Sequence, residues 1–268
     1  MDIKSAVFYG TKKLQNLDNP KFEAEVLCAR VLNKDRAFLK TYPEKNLSLI
    51  KSLKFRRFVS MRSKNIPIAQ IFGEKEWCGM NILVNKNVLI PRDETEILCH
   101  TILKEEGKPQ HILDLGTGSG NIAIFMKKNF SNAEVTAIDI SKKALEVAKK
   151  NTQLNNVEVN FIKSDLLEKV NNAASFDLIV ANLPYVPKNL KVAADLSFEP
   201  QNAIFSGLDG LDAIRKFAKE LVSKKIKFKK IWLEFLPTQK KEITKIFKDK
   251  KVEFFGDSGG DIFFAKIK

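Results

Sequence analysis

His111-Ile-Leu-Asp-Leu-Gly-Thr-Gly-Ser-Gly-Asn121 reads as an apolar strand that runs into a glycine-rich turn and then into a helix. Gly116, Gly118 and Gly120 let the backbone turn sharply and come close to a ligand. The next strand, at 134–139, ends in Asp139, about twenty residues beyond the loop, where a carboxylate can accept hydrogen bonds from ribose hydroxyls. The glycines follow a GxGxG spacing behind an acid at Asp114, with Asn at 121 where a dinucleotide loop would carry its third glycine. An acid two residues before the glycines suits a ligand with an ammonium and a sulfonium better than a pyrophosphate. Of nicotinamide dinucleotide and S-adenosylmethionine, the spacing favours S-adenosylmethionine.

About sixty residues on, Phe176-Asp-Leu-Ile-Val-Ala-Asn-Leu-Pro-Tyr185 repeats the pattern of an apolar strand ending in a polar loop. Strands are expected at about 110–115, 134–139, 157–162, 176–181 and 229–235, with helices at about 119–129, 141–154, 209–223 and 237–248. Val252–Phe255 and Ile262–Ile267 read as a closing antiparallel pair. Continuous apolar strands alternating with helices predict an α/β fold with a doubly wound, mostly parallel sheet. Ligands in that architecture sit at the carboxyl ends of the strands, where both loops fall.

Upstream, residues 1–72 read as a small helical bundle. Ile3, Val7, Phe8, Leu14 and Leu17 recur at helical spacing, Asn19-Pro20 opens a second helix with Phe22, Val26, Leu27, Ala29 and Val31, and Tyr42-Pro43 breaks the next segment. Leu47 to Ser63 reads as a basic amphipathic helix with Leu49, Leu53, Phe58 and Met61 on its apolar face. Glu74–Val84 alternates around Gly79, so residues 73–92 form a β-hairpin linker, and residues 93–268 the ligand-binding domain. In Asn87-Val-Leu-Ile-Pro-Arg-Asp-Glu-Thr-Glu96, Pro91 is expected to stop a strand and Asp93 to cap the following helix, with Glu96 at the capping-box position.

Composition bounds the rest. The 268 residues are 44% hydrophobic and 29% charged, ordinary for a globular protein with a real core, and no window is long and apolar enough to span a membrane. Three widely spaced cysteines without a CxxC favour reduced thiols, a cytoplasmic setting and no disulfide. Two histidines and no paired cysteines make a metal site unexpected. The net charge of +14 comes mainly from lysines spread along the chain, and no aromatic-rich signature accompanies it. A solvated basic surface explains it without direct nucleic-acid binding.

The Asn182-Leu-Pro-Tyr185 loop carries the chemistry. An amide or exocyclic amine nitrogen is a poor nucleophile, because its lone pair is delocalised into the adjacent π system. Asn182 offers a side-chain carbonyl and the next backbone a second acceptor; Pro184 stiffens the loop, and the Tyr185 ring can stack on the planar group. Methyl transfer to such a nitrogen is then direct, with no covalent intermediate. Ser164-Asp165-Leu166 lies where an adenine-contacting loop would fall.

With these pieces in place the chain resembles the PrmC/HemK family of protein-(glutamine-N5) methyltransferases. The resemblance is carried by Ile66-Pro-Ile-Ala-Gln-Ile-Phe-Gly73, Val88-Leu-Ile-Pro-Arg-Asp-Glu-Thr-Glu96, Ile112–Gly120, Asn182–Tyr185, Phe198-Glu-Pro200 and Gly207-Leu-Asp-Gly-Leu-Asp212. It implies a seven-stranded class I S-adenosylmethionine-dependent methyltransferase domain. Cofactor contacts are implied at Asp114, Gly116, Thr117, Gly118, Ser119, Gly120, Asp139, Asp165, Leu166 and Asn182. A grip by Asn182, Leu183, Pro184 and Tyr185, with Arg92 and Glu199 beside them, is implied on the glutamine of a release factor's Gly-Gly-Gln motif. The resemblance also implies that the bundle engages the release factor; nothing calls for more than a monomer. Leu183 stands where the family usually has Pro, and Ile262 in Asp257–Ile262 where it usually has Arg. An adenine N6 methyltransferase acting on RNA or DNA, or an inactive cofactor-binding relative, are the alternatives.

Overall fold

Short polar side chains open the helices of the first seventy residues. Asp2 accepts from Ser5 N ahead of α1 (Ile3–Lys13), Asp35 from Phe38 N ahead of α3 (Arg36–Thr41), and Ser48 from Lys51 N ahead of α4 (Leu49–Arg62). Pro20 takes the first position of α2 (Pro20–Leu32), where a missing N–H costs nothing, and left-handed Asn33 ends that helix. With α5 (Ile68–Phe72) these helices enclose a core that includes Ile3, Leu14, Leu27 and Phe55. A side chain at Gly10 would put its Cβ 2.8 Å from Ala24 Cβ, so α1 and α2 approach closely only because that position is glycine.

The apolar face expected for α4 is corrected here. Leu49 and Leu53 are exposed, as are Phe8 and Phe22, while Phe55, Phe58 and Val59 are buried. Helical spacing fits both stripes of α4, and the one carrying two phenylalanines removes more apolar surface from water.

The computed structural model describes residues 1–256 and 259–268. Its chain falls into one unit of Met1–Phe72 with Ala194–Phe198 and a second of Gly73–Ala193 with Glu199–Lys268. The departure noted within Asp257–Ile262 involves residues 257 and 258 and the Ile262 side chain, which lie outside the described residues.

The second unit begins with a hairpin of β1 (Glu74–Trp77) and β2 (Met80–Leu83), turned by Cys78 and Gly79, both at positive φ, as a tight two-residue turn needs. Residues 87–90, ahead of Pro91, do not form the expected strand. Ile90 N donates to Glu199 Oε2 at 2.7 Å, so a side-chain carboxylate takes the place of a ladder partner. The capping box is not formed either: Arg92 stands at the N-cap of α6 (Asp93–Glu105), Asp93 pairs with Lys75 at 2.7 Å, and Glu96 accepts from Cys78 N. Both acids are drawn to the hairpin instead of to their own helix end.

Seven strands then build one sheet in the order β5-β4-β3-β6-β7-β9-β8. They are β3 (His111–Leu115), β4 (Glu134–Asp139), β5 (Asn160–Lys163), β6 (Ser175–Ala181), β7 (Lys227–Glu234), β8 (Val252–Gly256) and β9 (Ile262–Ile267). The first five run parallel, and β9 is antiparallel to both β7 and β8. Leu113 and Leu115 share one core with Ile214 and Phe217 of α9 (Asp212–Ser223) and Ile243 of α10 (Lys240–Ile246). Alternation turns Ile112 and Asp114 to the other face, which α6, α7 (Asn121–Asn129) and α8 (Lys142–Leu154) cover. Strand order reverses between β3 and β6, and there the two loops meet. The helix expected from about 209 begins at Asp212, because Gly207 and Gly210 hold left-handed turns before it.

Candidate active site

Each glycine of the first loop has its own reason. Gly116, Gly118 and Gly120 all have positive φ, at 79°, 53° and 83°. A Cβ at Gly120 would lie 3.0 Å from Ala148 Cβ, where α8 packs against the loop, and one at Gly116 would meet Leu183 Cδ2 at 3.2 Å. A Cβ at Gly118 would meet nothing within 4 Å, and that open side borders a cavity of about 340 Å³. The backbone is held from below, as Gly116 N and Thr117 N both donate to Ile138 O.

Asp139 grips the loop as well as ending its strand. Its Oδ2 accepts from Gly118 N at 2.9 Å and its Oδ1 from Ser141 N at 2.8 Å; burial raises its pKa, and these two bonds oppose the rise. Asp114 is fully buried, accepting at Oδ2 from Thr117 Oγ1 at 2.6 Å and Ala123 N at 3.1 Å, while no described residue bonds its Oδ1. Burial pushes its carboxyl up to about 7 against those two bonds, with Asp139 adding to the rise. Asn151 of α8 bonds Ser119 O and both backbone groups of Leu83, joining the loop to the hairpin.

Across the cavity, Asn182 follows β6. Its Nδ2 donates to Thr95 Oγ1 at 3.0 Å and to Glu234 Oε2 at 3.1 Å. Tyr185 donates its hydroxyl to Glu234 Oε1 at 2.8 Å; burial and that carboxylate hold its pKa above the usual tyrosine range. Leu183 is buried against Gly116, so a bulky apolar residue fits where the family usually has proline. Gln239 Nε2 donates to Tyr185 O and Asp209 O, and Val186 bridges to Phe205, which fixes the far side of the loop.

The cavity brings together Gly116, Gly118, Asp139, Asp165, Leu166, Asn182, Leu183 and Pro184. Asp114, Thr117, Ser119 and Gly120 support the loop from behind and do not line it. Tyr185 does not line it either. Arg92 and Glu199 pair with each other at 2.6 Å, and Glu199 also takes Ile90 N, so they brace the 85–92 segment. Asp165 pairs with Lys216 at 2.5 Å, and Leu166 has a positive φ of 47°. Sequence reasoning missed Val88, Leu89 and Lys216 among the lining residues, and Thr95, Asn151 and Glu234 behind them. Two of these carry a readable signal: Asn151 is a polar residue on an apolar helical face, and Glu234 an acid ending an apolar strand.

The residues fit an adenosyl ligand with an amino acid tail. Apolar walls from Ile138 and Leu166 suit a purine, Asp139 stands at its strand end, and Gly118 opens toward the cavity without a side chain. Among the described residues no cluster of histidine, cysteine, aspartate or glutamate could hold a metal ion, and no helix is long and apolar enough to cross a membrane.

Residues 93–199 match the methyltransferase small domain, and residues 5–73 the PrmC N-terminal domain. A T. thermophilus 16S rRNA methyltransferase structure shares the fold, with a TM-score of 0.54 at 15% identity, over 73% of this chain and 49% of that one. Fold and site together define a class I methyltransferase whose cofactor is S-adenosylmethionine. A release factor glutamine methyltransferase of Buchnera aphidicola subsp. Schizaphis graminum is 37% identical over 262 residues, 95% of this chain and 93% of that protein. One from Koribacter versatilis is 38% identical, over 82% of this chain and 81% of the relative. The chain belongs to the release factor glutamine methyltransferase family.

Proposed function

We propose that this enzyme transfers the methyl group of S-adenosylmethionine to the side-chain amide nitrogen of the glutamine in the Gly-Gly-Gln motif of a peptide chain release factor. The observation that carries the reading is Asn182: it borders the cofactor cavity with its NH₂ group engaged behind it, and no described residue donates to its carbonyl oxygen. That oxygen and the backbone carbonyl of Leu183 can accept both hydrogens of a substrate amide and turn its nitrogen to face the cofactor. Bound, S-adenosylmethionine supplies an electrophilic methyl group on a sulfonium. Leu183 and Pro184 keep water from the reacting nitrogen, which sheds a proton once it is alkylated.

Residues 1–72 form the release-factor recognition module in this reading, supported by the family match over 5–73 and by the exposed Leu49, Ile50 and Leu53 among lysines and arginines on α4. The enzyme acts as a monomer in the cytoplasm without direct nucleic-acid contact. Free Cys28, Cys78 and Cys99 support a reducing setting.

Labelled S-adenosylmethionine incubated with the enzyme and a release factor should place the label on the Gly-Gly-Gln glutamine, and changing that glutamine should abolish it. Label on adenine when ribosomal RNA is offered, with none on the release factor, would overturn the reading.

A further inference from the structure

Asn182 is useful to an amide substrate only in one of two orientations. A half-turn about its last torsion exchanges Oδ1 and Nδ2 with almost no change of shape, so packing cannot choose between them. We infer that Glu234, together with Thr95, is a positioning residue that selects the orientation presenting the Asn182 carbonyl to the substrate nitrogen, an inference that rests on the function just proposed.

The selection is electrostatic. Thr95 donates its hydroxyl to Glu234 Oε2 at 2.8 Å, which leaves a Thr95 lone pair toward Asn182 Nδ2. The Asn182 NH₂ thus faces two acceptors, the Thr95 oxygen and the Glu234 carboxylate. Turned over, Asn182 would set its own oxygen against a carboxylate oxygen with no proton between them. Tyr185 occupies the other carboxylate oxygen, so three neutral donors converge on one ionised group. Among the described residues no lysine or arginine pairs with Glu234, which is 1% exposed. A buried carboxylate without a cation is costly to stability, and its neighbours in β7, Ile231, Trp232 and Leu233, are all apolar. The fold alone gives no reason for an acid there; the orientation of Asn182 does.

The ionised form performs the selection, since a protonated carboxyl would have to donate to one of its three donors. Burial pushes Glu234 up to about 7, opposed by the Thr95, Tyr185 and Asn182 bonds and reinforced by Glu94. The titratable groups facing it are Glu94 and Cys99 of α6 and Tyr185 of the loop, with Arg92 acting on Tyr185. Asp114, also near 7, sits under the cofactor loop, so its titration should register in cofactor affinity and not in turnover at saturation.

The test measures kcat on the release factor at saturating S-adenosylmethionine from about pH 6 to about pH 9, with the cofactor Kd taken in parallel. For the parent, kcat should rise with pH through a midpoint near 7. Glu234→Gln, whose amide can satisfy either orientation of Asn182, should lose that rising limb and turn over about ten- to a hundredfold more slowly, with the cofactor Kd within about twofold. Thr95→Val should slow turnover severalfold and keep the limb. A Glu234→Gln enzyme with the parent's kcat and limb overturns the inference, as does a loss of turnover that only tracks lost cofactor binding. Should Glu234→Gln fail to fold, Thr95→Val decides: slowed turnover with the limb kept upholds the inference, and unaltered kcat ends it. A parent that never methylates the release factor sinks the proposed substrate first, and this inference with it.

Discussion

At the scale of single residues, Asp139 holds a loop while it lines the cavity. Its two backbone bonds, to Gly118 and Ser141, hold the glycine turn, while its remaining lone pairs border the cavity. Asp139→Ala should therefore weaken S-adenosylmethionine binding about tenfold or more, with a smaller effect on kcat at saturation, as read by titration calorimetry and steady-state rates. An unchanged Kd would refute the assignment. Tyr185 has an attachment besides the ring expected to stack on the substrate amide. The ring does not border the cofactor cavity, and its hydroxyl is tied to Glu234. Tyr185→Phe alone should lower kcat by roughly tenfold, the worth of one hydrogen bond to a charged group; unchanged kcat would leave the ring, not the hydroxyl, as the part that acts. The places of Asp139 and Asn182 on the cavity were legible because each ends an apolar strand. Thr95 was not, nor was its contact with Glu234, because that contact joins positions 139 residues apart, even though Glu234 itself ends an apolar strand.

Elements were legible where periodicity was unambiguous, and blurred where a side chain replaced a regular partner. The alternation of strand and helix predicts β3 to β7 within a few residues. The stretch ahead of Pro91 reads as a strand because Val88, Leu89 and Ile90 are apolar, yet the partner of Ile90 N is the Glu199 side chain, far away in sequence. The glycine turns separate packing from binding. A Cβ at Gly210, where φ is 83°, would lie 2.0 Å from Tyr185 O, so Gly210→Ala should cost about 2–4 kcal/mol and lower the Tm by several degrees. Gly118→Ala meets no neighbour. It should cost only about 1 kcal/mol of backbone strain and still weaken cofactor binding. Thermal melts with and without S-adenosylmethionine separate the two, and equal losses in the apo melts would count against this division.

For the molecule as a whole, buried acids set the pH response. Asp114 and Glu234 are pushed up to about 7, so the folded state keeps protons that the unfolded chain releases from about pH 4 upward. Stability from these groups is greatest below that point and falls as pH rises toward 7. Asp177, beside Lys229, and Glu253, beside Lys251 and Lys268, are lowered to about 2, so their contribution is present above about pH 4 and lost below it. Asp114→Asn removes the first kind of term, and its Tm advantage over the parent should widen from pH 5 to pH 8. A constant difference would mean that Asp114 is not perturbed. The net charge of +14 was plain from composition, but its distribution became visible only with the pairs that tie up Lys216, Lys230 and Lys266.

Strand order also has a consequence for assembly. β9 lies between β7 and β8 and pairs with both, although β8 precedes it in the chain. The parallel half of the sheet can zip up strand by strand, whereas β8 has no docking partner until β9 arrives. A polypeptide cut after Gly256 would thus forfeit two strands for the loss of one. It would leave the flank of β7 bare, an invitation to proteases and to pairing with other half-made copies.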